Sequence, residues 1–372
     1  MIVAGEISGD SHSAALVSAL NKLRPDLVFF GVGGKKMSLA GVSLLFDIQQ
    51  LSIIGFTDVL KNFARIRRVF RSLLEELDNQ RPAAVILVDY PGFNLKLAKE
   101  IKKRNIPVIY YISPQIWAWW KGRIKTIKNY VDKMIVLFKF EEGLYKDFGV
   151  DAAFVGHPLL DIARPQSCRE DFLNRLGLPA ANKTIGIVPG SRQAEVNTIL
   201  PILLETAALI KAKIPQAQFS VLKSPQLGRE NYLAQIKKAG LPVVLCENQT
   251  YDFLNSCDFV LAASGTATLE TAIMQKPMVI VYKVSWLNWL IARMLIRLPF
   301  IGLVNVVAGR KIVPEFIQFQ ARAPLIAQTV CRIMESPAAL TKVKVALQNL
   351  RKELGDPGAS QRAAVVISHC LG

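Results

Sequence analysis

The chain has 372 residues, 51% of them hydrophobic and 20% charged, which excludes an intrinsically disordered chain and, at about 100 to 200 residues per domain, a single small module. Lys and Arg number 46 against 29 Asp and Glu, a formal net charge of +17, so an anionic partner is expected; a mean hydropathy of +0.28 sets the chain apart from basic, hydrophilic nucleic-acid binders and suits a membrane surface. Five cysteines with no C-x-x-C pair argue against a disulfide framework and read as reduced thiols in the cytosol. Residues 1–4 are apolar with no basic segment before them and read as a first strand, not a secretory signal. Further apolar runs at 27–31, 83–88, 108–112 and 134–138 alternate with helix-period segments such as 58–77 and 94–104. Continuous apolar strands are buried on both faces, so the pattern predicts a parallel sheet wrapped by helices through right-handed crossovers. The rhythm pauses at Gly156-His157-Pro158 and over the polar stretch 164–169, then resumes with runs at 184–188, 219–222, 243–245, 259–262 and 278–282. After Ala321 the chain reads as helical, punctuated by Pro337 and Pro357. The expectation is an α/β protein of two doubly wound, Rossmann-like domains facing across a cleft. Residues 1–162 form the first and 163–335 the second, and the return of the closing helices, 336–372, to the first is left open.

In open parallel sheets ligands bind beyond the carboxyl ends of the strands, and four loops there carry polar residues. Gly5-Glu6-Ile7-Ser8-Gly9-Asp10 follows the first strand; it reads either as ligand approach by backbone N–H groups or as turn chemistry with Asp10 or Ser11 capping a helix. No G-x-G-x-x-G or P-loop is present, and Gly31-Val32-Gly33-Gly34-Lys35-Lys36 only approximates one. Asp89-Tyr90-Pro91-Gly92-Phe93-Asn94 puts Asp89 where a catalytic carboxylate is expected, the plainer reading being backbone hydrogen bonding with Asn94 as a helix cap. Ser113-Pro114-Gln115-Ile116-Trp117-Ala118-Trp119-Trp120 is either a binding surface or a packed aromatic wall.

In the second half, Pro189-Gly190-Ser191-Arg192 combines backbone donors at a helix start with a hydroxyl and a guanidinium, a phosphate cradle in outline. Ser264-Gly265-Thr266 opens another helix and offers a second set of donors, with simple capping as the alternative. Glu270, one turn on, is placed to accept hydrogen bonds from a ribose. The three histidines, His12, His157 and His369, are too dispersed for a triad, and no D-x-D, H-E-x-x-H or Cys/His cluster occurs, so no protein-bound metal is expected. Two segments are both greasy and basic. Phe63, Ile66 and Phe70 form a helical stripe in a segment that also carries Arg65, Arg67, Arg68 and Arg71, and Trp286 and Trp289 precede Arg293 and Arg297. Each reads either as core with a solvated basic face or as an interfacial segment meeting anionic lipid. The window 284–301 contains charges and Pro299 and is read as lying on a membrane, not crossing it.

Together these loops resemble the lipid-A-disaccharide synthase family of bacterial GT-B glycosyltransferases. The resemblance spans essentially the whole chain and includes Val155-Gly156-His157-Pro158 and Asn305-Val306-Val307-Ala308-Gly309-Arg310. It departs at Lys139 and Val304, where proline is expected. It implies a metal-independent inverting transferase without a cofactor. Such an enzyme joins UDP-2,3-diacylglucosamine to 2,3-diacylglucosamine 1-phosphate, giving a β-1,6-linked tetraacyl disaccharide 1-phosphate and UDP in lipid A biosynthesis. On this reading Asp89 is the base, with Glu6 and Asp10 assisting or replacing it. Gly190, Ser191, Arg192, Ser264, Gly265, Thr266, Glu270, Asn305 and Arg310 hold UDP. Ser8 and Trp117, with Phe63, Ile66, Phe70, Trp286 and Trp289, face acceptor or membrane. A peripheral protein on the cytoplasmic face of a Gram-negative inner membrane follows, with an anionic membrane surface as partner, no nucleic acid, and room for a homodimer. The competing readings are another UDP-sugar-dependent GT-B enzyme, such as a peptidoglycan-precursor transferase or a nucleotide-sugar epimerase, and a basic non-enzymatic nucleic-acid-binding protein.

Overall fold

The computed structural model describes residues 1–48, 56–114, 122–286, 289 and 299–371, with the backbone only for 56–63. Two compact units are present, one made of Met1–Pro158 with Leu354–Gly372, the other of Leu159–Glu353.

In the first unit, strands β1 (Ile2–Ala4), β2 (Phe29–Gly33), β3 (Val42–Asp47), β4 (Val85–Val88), β5 (Val108–Tyr111), β6 (Lys133–Val136) and β7 (Ala152–Phe154) form a parallel sheet in the order β3-β2-β1-β4-β5-β6-β7. The central strands are apolar at every position because helices cover both faces. β2 approaches β1 so closely that a Cβ on Gly31, whose φ is +150°, would lie 1.9 Å from the Ile2 carbonyl oxygen, and the β2–β3 register slips beside it. Strand order reverses between β1 and β4, which brings the Gly5 and Asp89 loops side by side at the carboxyl edge.

In the second unit, β8 (Lys183–Val188), β9 (Ala217–Lys223), β10 (Val243–Glu247), β11 (Phe259–Ala263), β12 (Met278–Tyr282) and β13 (Glu315–Ile317) are parallel in the order β10-β9-β8-β11-β12-β13. Here the reversal lies between β8 and β11, the two strands that precede Gly190 and Ser264.

The helix Pro337–Glu353 stays with the second unit; it packs on the helix Thr266–Ile273, and Arg351 donates to the Ile273 carbonyl at 2.8 Å. The helix Ala359–Leu371 packs on Ile7–Leu23 in the first unit, where Arg362 donates to the Val155 carbonyl at 2.8 Å. The division therefore falls after residues 158 and 353, against the expected 162 and 335.

The stripe expected to enter lipid is largely core. Within the helix Phe56–Gln80, Val69, Leu73 and Leu77 are buried; Ile66 and Phe70 pack against them, and the Phe70 ring meets Phe93 edge-on at 5.5 Å. Ile66 and Phe70 are half-buried, so this core takes part of their apolar area and leaves the rest accessible. Arg65, Arg67, Arg68 and Arg71 are exposed. Trp117 and the Phe63 side chain lie outside the described residues.

Candidate active site

At the carboxyl end of β4 the backbone turns through two consecutive non-glycine residues in the left-handed region, Asp89 at φ 46° and Tyr90 at φ 48°. Such residues cost on the order of 1–3 kcal/mol each and persist where the surroundings hold them. Three hydrogen bonds do so. Tyr110 Oη and Asn94 Nδ2 donate to the Asp89 carbonyl at 2.5 and 2.8 Å, and the Asp89 N–H donates to the Tyr111 carbonyl at 3.1 Å. Asn94 thus lies inside the helix Pro91–Lys102 and reaches back to brace Asp89; it does not cap the helix. Across the strand reversal, Gly5 leaves room for the Tyr90 ring: a Cβ there would come within 2.3 Å of it. The Asp89 carboxyl is half-buried, and burial first, then the neighbouring Glu6 carboxylate, raise its pKa to about 6 against an opposing Tyr90 amide. A carboxyl poised there takes and returns protons near neutrality.

Glu6 and Ser8 are exposed at the start of the helix Ile7–Leu23. That helix begins earlier than the sequence suggested, so Asp10 and Ser11 lie within it. Asp10 is buried, and three backbone N–H groups fill its carboxylate: Gly34 at 2.8 Å and Met37 at 3.0 Å on Oδ1, and Lys36 at 3.2 Å on Oδ2. Expected as an assisting or alternative base, Asp10 is here engaged in holding the start of the helix Lys35–Leu39. His157 is buried against Phe138 with its pKa pushed down to about 3 by burial and by His12, which burial and Lys36 lower in turn.

In the second unit the Gly190-Ser191-Arg192 turn after β8 contains a further acid, Glu195. Gly190 turns the chain at φ 110°, and Glu195, in the first turn of the helix Gln193–Lys213, folds back over it. Glu195 Oε2 accepts the Ser191 and Arg192 N–H groups at 3.2 and 3.4 Å, and Oε1 accepts from the exposed Arg192 guanidinium at 3.2 Å. Its signal was an acid at the third helical position, where a capping box puts one. Tyr282, at the end of β12, feels both charges, its pKa raised by burial and by Glu195 against Arg192.

After β11, Gly265 and Thr266 are exposed at the start of Thr266–Ile273, with no side chain capping it. The Ser264 hydroxyl donates to the Ile301 carbonyl at 3.4 Å. Glu270 is raised by burial and receives the Tyr251 hydroxyl at 3.0 Å, a partner nothing in the local sequence announced. Arg310 is exposed. Asn305 is fully buried and fully engaged: Nδ2 donates to Val313 O at 2.9 Å and Glu315 Oε1 at 2.7 Å, while Oδ1 accepts from Ile312 and Val313 at 2.8 and 3.0 Å. Expected as part of the UDP site, Asn305 here shapes the segment leading into β13. Among the described residues no cluster of three His, Cys, Asp or Glu is arranged to hold a metal ion, and no helix is long and apolar enough to cross a membrane.

The family model described as lipid-A-disaccharide synthetase matches residues 1–369. A lipid-A-disaccharide synthase of Syntrophus aciditrophicus is 44% identical over 367 residues, covering 98% of this chain and 96% of that protein. One from Geobacter sulfurreducens is 41% identical over 372 residues, covering 100% and 97%. Among solved structures, a protein described as a UDP-N-acetylglucosamine 2-epimerase from Listeria monocytogenes aligns with a TM-score of 0.68 at 14% identity, covering 99% of this chain and 95% of that one. A UDP co-structure of S. aureus MnaA aligns at 0.63 and 13% identity, covering 100% and 95%. At these identities the structural likeness concerns the fold alone, the two-domain architecture shared by GT-B glycosyltransferases and such epimerases.

Proposed function

The chain belongs to the lipid-A-disaccharide synthase family and is a glycosyltransferase of lipid A biosynthesis; from that premise we propose its substrates and the residues that carry the reaction. The donor is UDP-2,3-diacylglucosamine and the acceptor 2,3-diacylglucosamine 1-phosphate. In one inverting displacement the acceptor 6-oxygen bonds to the donor anomeric carbon as the bond to UDP breaks. The hydroxyl proton passes to Asp89, and the leaving electron pair stays on the UDP phosphate. The observation that carries this reading is the Asp89 carboxyl, held beyond the β1/β4 reversal and lifted to about 6 by burial and Glu6. Arg192 and the backbone donors of Ser191 and Thr266 stabilise the charge that builds on UDP. The Gly190 and Gly265 turns bring those donors to the carboxyl ends of β8 and β11, Glu270 holds the ribose, and Arg310 completes the site. A fold relative from S. aureus was solved with UDP, which is in keeping with a nucleotide ligand.

Acyl chains on both substrates call for work at a lipid surface. We place the protein peripherally on the cytoplasmic face of the inner membrane, through the exposed arginines of Phe56–Gln80 and through Trp286, which is 66% exposed. Trp289 lies nearby, edge-on to Phe319 at 5.4 Å, and Phe319 is 71% exposed.

Asp89→Asn tests the assignment. A positioned base contributes roughly 10²- to 10⁴-fold, so turnover should fall by about that factor while UDP affinity, measured by calorimetry, stays within about twofold. In the wild type kcat/KM should rise with pH through about 6 as the base loses its proton. Near-normal turnover by the variant would remove Asp89 from the role.

A further inference from the structure

We infer that Glu195 is a built-in stand-in for the nucleotide diphosphate, holding the cradle's donors in their binding arrangement until the donor substrate displaces it. The inference rests on the reading of this cradle as the UDP site. Its basis is a coincidence of groups: the Ser191 N–H, the Arg192 N–H and the Arg192 guanidinium are the donors a diphosphate would take, and one carboxylate receives all three. Gly190 makes the overlap close, because a Cβ at that position would stand 2.6 Å from Glu195 Oε2. The carboxylate therefore sits against the backbone turn where an anion would be received.

The same chain shows what a permanent carboxylate cap looks like. Asp10 in the first unit is buried and accepts its three N–H groups at 2.8 to 3.2 Å. The Glu195 contacts are longer, at 3.2 to 3.4 Å, and solvent reaches the pair, with 28% of the Glu195 side chain and 82% of the Arg192 side chain accessible. Long charge-assisted bonds at a wet helix start are weak and easily exchanged. Glu195 and Arg192 also cancel in charge, so a diphosphate entering a cradle that still contains Glu195 meets no net attraction from the pair. Once the carboxylate rotates away, the guanidinium and both amides become available together. The device keeps the loop formed while empty and opposes UDP after transfer, which favours product release.

Calorimetric titration of UDP into the wild type, Glu195→Gln and Glu195→Ala, with melting temperatures recorded for each, tests the inference. Glu195→Gln keeps the side-chain length and an oxygen for capping but removes the competing charge. Its UDP dissociation constant should fall about tenfold, the scale of one like charge removed from an exposed anion site, with slower UDP release in stopped-flow displacement. A residue that only caps the helix would give the opposite: equal or weaker UDP binding in Glu195→Gln, and a lowered melting temperature with no gain in affinity in Glu195→Ala. Either result overturns the stand-in. If the wild type itself does not bind UDP, the donor-site reading fails, and that outcome is separate from wild-type binding that the Gln variant does not tighten.

Discussion

Asp89 combines two unfavourable features, a left-handed backbone and a desolvated carboxyl. Both belong to the folded state, so they make a stability prediction independent of turnover. The folded pKa of about 6 lies above the ordinary 3.8. Between those values the folded protein binds more protons than the unfolded chain, and stability falls as pH rises through the window. Asparagine carries no charge to desolvate and tolerates the left-handed region better than most residues. Asp89→Asn should therefore match the wild type near about pH 4 and exceed it near about pH 8, by about 1–2 kcal/mol once a shift of this size is discounted for partial solvation. Thermal melts of both proteins across that range check it, and a variant less stable than the wild type at the upper end refutes it. His157 works in the other direction: its folded pKa of about 3 lies below the ordinary 6.5, so the stability it provides is lost as pH falls through that window. That loss is common to both proteins and leaves their difference unchanged.

The Asn305–Glu315 network holds the segment between Gly302 and β13. Glu315 accepts the Ile301 and Gly302 N–H groups at 3.0 Å each, and Asn305 joins it to residues 312 and 313. Asn305→Ala strips the partners from the buried Val313 N–H, the part-buried Ile312 N–H and the Val313 carbonyl, and leaves Glu315 with fewer donors. Buried polar groups left unpaired cost about 1–3 kcal/mol each, and relaxation recovers part of that. A loss of about 2–4 kcal/mol in denaturant unfolding of the full chain is expected, and a smaller change than 1 kcal/mol would show that the network is not structural. How far this could be read in advance depends on where a residue's partners lie. The central strands announced themselves as uninterrupted apolar runs because both their faces are covered. β3 and β7 are edge strands and half-exposed, β3 is broken by Ser43 and ends at Asp47, β7 is only three residues long, and β13 is three residues long and starts with a buried glutamate. Asp89 and the Gly190 cradle were visible because they directly follow strands. The duties of Asp10 and Asn305 were not, since their partners at Gly34 and Glu315 are brought to them only by folding.

At the scale of the whole molecule, a chain that is 51% hydrophobic and carries +17 divides those two properties between interior and surface. Much of the apolar content lies in the two sheet cores, and these also claim Ile66 and Phe70. Among the described residues of that helix, Arg65, Arg67, Arg68 and Arg71 are exposed, while Ile66 and Phe70 are half-buried. In the second unit two large aromatic side chains, Trp286 and Phe319, are exposed. The two regions should therefore contribute differently to binding. A basic residue near an anionic bilayer is worth about 1 kcal/mol and is screened within a Debye length, whereas an inserted aromatic ring does not depend on salt. In vesicle sedimentation at low salt, replacing the four arginines with glutamine should weaken binding to anionic vesicles by on the order of 10³-fold, with little effect on neutral ones. Wild-type binding that survives about 1 M salt, where screening is near 3 Å, should fall on Trp286→Ala with Phe319→Ala. If the arginine variant binds anionic vesicles as tightly as the wild type, the basic helix does not face the membrane.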